Sequence, residues 1–212
     1  MKKLIWLFLV SLIVLAGCGE KGKEHSQENK KPEIKKYSYH PIGTEEEVKD
    51  KAAKVRDEKR NGKFDSSKYY DDYEYGQIFQ REAQPLTDTN SKVHQMVNNL
   101  KQNDDRIDEA DTKEVKSEID PALKELKQAM DDRKNRGKEV PPQFKDMDEN
   151  YFKSVEIFYS SFKDLENVIE HKKQYSKNEL IEQSDVFKHN MEVSEKYFRH
   201  TTKLIEAASQ SY

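Results

Sequence analysis

Cys18 is the only cysteine in this chain of 212 residues, so its thiol has no disulfide partner within it. The other residues able to do chemistry are thinly spread. The histidines are His25, His40, His94, His171, His189 and His200. No two form the HExxH pair that zinc proteases place on one helix face. His189 and His200 share nearly one helical face but lie roughly 16 Å apart along it, too far for one ion to bridge. Carboxylates are abundant, yet an acid–base pair needs one member buried and shifted. Here the acids fall mostly opposite the apolar stripes, where water keeps them ordinary. No GxSxG, P-loop or GxGxxG pattern is present. These residues read as a non-enzyme with no catalytic set, no metal site and no cofactor.

The surroundings of Cys18 explain a lone thiol differently. Lys2 and Lys3 precede an apolar run from Leu4 to Leu15, too short for a comfortable membrane span. Ala16 and Gly17 are small enough for a cleavage pocket. The stretch Leu15-Ala16-Gly17-Cys18 resembles the lipobox of bacterial lipoproteins. That resemblance implies that residues 1–17 are a signal peptide, with Leu15, Ala16 and Gly17 recognised at cleavage. It also implies that Cys18 carries a diacylglyceryl thioether and becomes the mature N-terminus. The expected address is the cell membrane, lipid-anchored, on its extracytoplasmic face. Two acyl chains hold a protein there stably, whereas one short chain does not.

Loss of Lys2 and Lys3 with the signal leaves a body two units more negative than the whole chain's formal −3. Nucleic acid, which needs a concentrated basic face, is not favoured. Charged residues make up 37 % of the chain and hydrophobic ones 33 %, which argues for long helices with narrow apolar seams rather than a thick core. Seven glycines and six prolines do not suit a turn-rich β protein.

Residues 18–43 hold the lipidated cysteine and a polar, Lys-rich stretch without apolar period, expected to be a disordered tether. Residues 44–75 combine a short helix with an aromatic and acidic segment. Thr44-Glu45-Glu46-Glu47 is a capping box, and Asn61-Gly62 a stop. Val48, Ala52 and Val55 give that helix a thin apolar face. In residues 64–75, Phe64, Tyr69, Tyr70, Tyr73 and Tyr75 alternate with Asp65, Asp71, Asp72 and Glu74.

Residues 76–212 read as a helical bundle. Phe79, Ala83, Leu86, Asn90, Val93, Val97, Leu100, Asp104 and Ile107 recur at heptad spacing, with Pro85 a kink or a late start. Asp111 and Glu114 suggest a second capping box. Val115, Ile119, Ala122, Leu126 and Ala129 or Met130 make the next seam, broken or kinked at Pro121. Tyr151, Val155, Phe158, Phe162, Leu165 and Ile169 run without a fault. Ser176 with Glu179 caps a last helix of about 33 residues, whose seam is Leu180, Ser184, Phe187, Met191, Ser194, Phe198, Thr201, Ile205 and Ala208. The expected fold is all-α: an elongated antiparallel bundle of three to four long heptad-patterned helices, up-down-up-down, after the tether.

The lipobox, charged tether and long charged helices are similar in kind to small helical surface lipoproteins of Gram-positive bacteria, including cell-wall-binding lipoproteins. The expected function is a non-catalytic binding module at the cell envelope. Its partners would be the membrane, through the Cys18 anchor, and a cell-wall polymer or envelope protein. Tyr69, Tyr70, Tyr73 and Tyr75 are the candidate binding surface, with packing over one end of the bundle as the competing role. Heptad seams also permit self-association. A second expectation is a solute- or small-ligand-binding lipoprotein with a pocket near Ser184, Ser194 and Thr201. An envelope enzyme is the third.

Overall fold

The computed structural model describes residues 31–86 and 112–209; the side chains of residues 112–116, 118, 119 and 122 lie outside it. The lipobox and Cys18, the stretch up to residue 30, the 90–107 part of the first stripe and the Asp111 cap therefore fall outside the described residues, as do the side chains of Val115, Ile119 and Ala122. The described chain is all-α. Its helices are α1 (Glu45–Arg60), α2 (residues 72–86), α3 (Thr112–Lys134), α4 (Lys145–Glu170) and α5 (Lys177–Ser209), with 3-10 turns at Pro142–Phe144 and Lys172–Gln174.

The α4–α5 hairpin is the scaffold. Tyr151, Val155, Phe158, Phe162, Leu165 and Ile169 are all buried, as their spacing requires. Phe162 meets Phe187 of α5 edge-on, ring centroids 4.9 Å apart. Each such ring contributes about 1.5–3 kcal/mol by leaving water. The Ser176–Glu179 capping box is formed in both directions, at 2.6 and 3.3 Å. Ser154 and Ser194 each donate to the other's carbonyl, at 2.8 and 2.9 Å. Small hydroxyl side chains thus let the two helices approach closely.

The α3 helix runs antiparallel to α4. Arg133 near its end bonds Asp148 near the start of α4, while Asp120 lies within electrostatic reach of Lys163. Leu123 and Leu126 are buried against the hairpin, and Ala129 is buried as well. Pro121 sits inside one continuous helix, so it does not split the segment into two. It removes one hydrogen bond from a helix held mostly by packing. Likewise α2 begins at residue 72, ahead of Pro85 rather than after it. Phe79 of α2 meets Tyr151 edge-on at 5.0 Å, and Leu86 enters the same core. Over the described residues the helix directions alternate, as in an up-down-up-down bundle.

The capping box at Thr44 and Glu47 is present, and Gly62 follows the helix with φ of +66°. Val48, Ala52 and Val55 are fully covered, so the thin face of α1 docks firmly. Val48 packs with Leu204, Ala207 and Ala208 at the end of α5.

Residues 31–43 depart from the tether expected there. They form an extended strap along the α4–α5 hairpin, held by side chains of both helices. Its composition is that of a solvated linker, but its main-chain N–H and C=O groups are taken up one after another by Asn, Gln and Tyr side chains. This also explains why the buried face of α5 is wider than its heptad seam. Asn190, Val193 and Tyr197 lie beside that seam and are covered, with Tyr37 and Tyr39 of the strap packed over Val193 and Tyr197.

Candidate functional site

The aromatic segment is positioned by two neighbours, α2 and the loop that leads into α4. Asp71 starts α2 by accepting the Glu74 N–H at 2.8 Å, an N-cap bond. Asp65 folds the preceding turn by accepting from Ser67 and Lys68, which holds its carboxyl below the usual range. Asp72 bonds Lys59 of α1 and Gln143 of the 3-10 turn, both at 2.7 Å. The acids interleaved with the rings therefore build the local fold. An isolated parallel bridge joins Tyr69 to Glu139: Tyr70 N–H donates to the Glu139 carbonyl at 3.2 Å, and Glu139 N–H to the Lys68 carbonyl at 2.9 Å.

This arrangement divides the four tyrosines named as one surface. Tyr75 is buried, stacked on Phe144 at 5.4 Å, and donates its hydroxyl to Asp148 at 2.8 Å. Burial, then the Asp148 charge, raises its phenol far above the ordinary range. Tyr70 is also buried, and its hydroxyl accepts the Lys138 N–H at 3.2 Å. Both are core residues, which corrects their assignment to a binding surface. Tyr69 is half-buried, beside Phe64 at 5.7 Å. Tyr73 is 78 % exposed, alone in that respect among the large hydrophobic residues described. The aromatic rings that remain outside the core are Tyr73, on its own in α2, and the Tyr69–Phe64 pair, with Lys68 over the Tyr69 ring at 5.0 Å and Lys59 over the Phe64 ring at 4.9 Å. Aromatic faces beside cations suit a flat, polar partner such as a sugar or a peptide.

Beneath it lies a buried charge cluster that composition did not reveal. Arg136 grips both oxygens of Glu82 and reaches Asp148 at 2.7 Å. Arg133 takes the other Asp148 oxygen at 2.9 Å and lies over Phe152 at 4.4 Å. Burial by itself lowers the Arg136 pKa, but its bonds to Glu82 and Asp148 outweigh this and hold it above normal. The cluster ties α2, the 135–140 loop and α4 into one block. It is saturated with internal partners, so its geometry is that of a clamp.

Two of the three hydroxyls expected to line a ligand pocket are engaged elsewhere, and the third, on Ser184, is buried. Ser194 is bonded to Ser154, and Thr201 donates to its own helix at the Tyr197 carbonyl, 3.0 Å away. A separate open cleft of about 440 Å³ lies between α3, α4 and the strap, lined by Ile42, Met130, Arg133, Phe152 and Lys153 among others. Of the histidines, His189 and His200 meet strap carbonyls, at Tyr37 (2.9 Å) and Gly43 (3.0 Å). Among the described residues, no group of three or more His, Cys, Asp or Glu side chains could hold a metal ion. Among them, too, no helix is long and apolar enough to cross a membrane.

The two ends of the hairpin differ in what they carry. Lys31, where the described strap begins, pairs with Glu179 at 2.8 Å, and the Tyr175 hydroxyl bonds the Pro32 carbonyl. Both contacts sit at the α4–α5 turn. The aromatic surface packs at the opposite end of α4, a helix of 26 residues and so about 39 Å long. The chain matches no protein-family model, no curated protein and no solved structure.

Proposed function

We propose that this chain is a membrane-anchored extracytoplasmic lipoprotein whose helical body is a non-catalytic binding module of the cell envelope. The lipid on Cys18 supplies the anchor, and the Phe64–Tyr69–Tyr73 surface supplies the contact, with a cell-wall polymer or an envelope protein as partner. The observation that carries the reading is that the described strap begins at the α4–α5 turn, at the other end of the hairpin from the aromatic segment. Twelve residues lie between Cys18 and Lys31, and the thirteen steps of chain from one to the other span at most about 45 Å. The chain then joins the body at the α4–α5 turn, while the exposed aromatics lie a helix length away. An anchor at one end and a recognition surface at the other is the arrangement a tethered binder needs.

Further support comes from how the surface is held. Tyr69 and Tyr73 each stand within two residues of a tyrosine locked into the core, so their rings sit on a rigid base and lose little entropy on binding. The engaged hydroxyls of Ser194 and Thr201 weigh against a solute-binding role in the hairpin seam.

The test is co-sedimentation of the full chain with purified cell-wall sacculi, together with photo-cross-linking from position 73 in envelope membranes. The reading expects capture by one of the two. The double variant Tyr69→Ala, Tyr73→Ala should lose at least five-fold of it, with helicity unchanged. Equal capture by the variant, or no capture in either assay, would overturn it.

A further inference from the structure

The groove between α4 and α5 reads a main chain. Asn190, fully buried in its floor, accepts the Tyr37 N–H at 3.0 Å and donates to the Lys35 carbonyl at 2.8 Å. One amide thus spans two alternate positions of the strap. Asn150, also fully buried, pairs with both main-chain groups of Ile42, at 3.0 and 2.7 Å. The Tyr197 hydroxyl does the same at His40, at 3.0 and 3.1 Å. Gln183 takes the Ile34 N–H at 2.7 Å. Against these main-chain bonds, the strap buries one side chain deeply, Ile34, and half-covers Tyr37 and Tyr39.

This division of labour is that of β-augmentation: main-chain bonds supply affinity, and pockets for alternate side chains supply selectivity. Here helix-borne amides take the place of a sheet edge. Buried amides need partners, so Asn150 and Asn190 demand an extended chain in the groove without specifying which one. The strap's outer end is its weak end. Lys31 and Glu179 are both substantially exposed, and exposed ion pairs contribute little.

We propose that the α4–α5 groove is a binding site for an extended polypeptide segment of a partner, occupied in the described state by the chain's own strap. The favoured segment has an aliphatic residue in the Ile34 position and aromatic residues three and five places on. The strap therefore acts as an internal competitor. Being covalently attached, it has an effective concentration in the mM range, so a free segment gains the groove only when the strap is weakened or drawn out. This proposal does not depend on the lipid anchor or on the aromatic surface.

The probe is a fluorescein-labelled peptide of residues 31–43. It is titrated into the full chain and into the double variant Ile34→Asp, Tyr37→Ser, which weakens the strap and leaves every groove residue intact. The variant should bind the probe at least ten-fold tighter than wild type. A probe N-methylated at the Tyr37 nitrogen, which denies Asn190 its bond, should lose at least ten-fold of that binding. Equal binding by wild type and variant, or equal binding of the methylated probe, would overturn the proposal. So would dimerisation of the variant by strap exchange without probe capture. Should the variant lose its helical circular dichroism, wild type with millimolar unlabelled peptide is the alternative. The Tyr37 and Ile42 amides should then exchange hydrogen faster, and unchanged protection would overturn the proposal.

Discussion

Arg136→Met is the sharpest probe of the block that carries the aromatic surface. The substitution keeps most of the aliphatic bulk and removes the guanidinium that serves both Glu82 and Asp148. Those side chains are 1 % and 3 % exposed, and Arg136 itself 7 %. Asp148 keeps Arg133, whereas Glu82 loses both bonds of its clamp. Breaking a buried pair from one side costs about 3–5 kcal/mol, because the surviving charge stays desolvated. Domains of this size are stable by about 5–15 kcal/mol in all, so the variant gives up a large fraction of its stability. Chemical denaturation followed by circular dichroism measures this. The Tyr70 and Glu139 amides, which bridge the two loops, should lose hydrogen-exchange protection first. Adding Glu82→Gln to the variant should restore part of the loss, giving a coupling above about 1.5 kcal/mol in a double-mutant cycle. Arg199→Ala is the internal control: its Glu195 pair is largely exposed, and its removal should cost under about 0.5 kcal/mol. A loss below about 1 kcal/mol for Arg136→Met, or a coupling near zero, would refute the clamp.

Three other outcomes follow from the same geometry. Gly43 has φ of +74°, and a methyl there would overlap the Asp146 carboxylate, so Gly43→Ala should cost more than about 2 kcal/mol in a denaturation curve. Gly62→Ala, at φ of +66° with open space around it, should cost only about 1 kcal/mol. The Lys31 bond, then those from Ser176, hold the Glu179 carboxyl down to about 2. A lowered folded-state pKa stabilises above the ordinary carboxylate range and is lost as pH falls toward 2, so the outer end of the strap should loosen only in strong acid. A carboxyl carbon NMR titration reads this directly, and Lys31→Gln should move the midpoint back up. Burial first, then nearby carboxylates, raises the phenols of Tyr75 and Tyr151, which should stay protonated well above the ordinary phenol range in an absorbance titration.

What could be read in the sequence was what is encoded locally. The Thr44 and Ser176 capping boxes each lie within four residues, and the structure forms both. The unbroken Tyr151–Ile169 stripe needed only a helical period to reveal its buried face. The strap was not legible, because its bonds join main-chain groups to Asn, Gln and Tyr side chains 108 to 157 residues away. No pattern within residues 31–43 announces that. A signal did exist on the other side: Asn190, Val193 and Tyr197 make a second stripe on α5 beside the heptad seam, and a second buried stripe needs a second cover. In the aromatic segment, which rings would pack over the bundle and which would stay outside was not legible, for a related reason. Tyr70 and Tyr75 go inward because the 135–140 loop and Asp148 offer their hydroxyls partners, and spacing within residues 64–75 cannot show that.

The most direct test of the central claim is metabolic labelling of the producing cells with a clickable fatty acid. The account predicts that the wild-type chain is labelled and fractionates with membranes, while Cys18→Ala is unlabelled and uncleaved. Wild-type protein without label, or label that persists after Cys18→Ala, would contradict it.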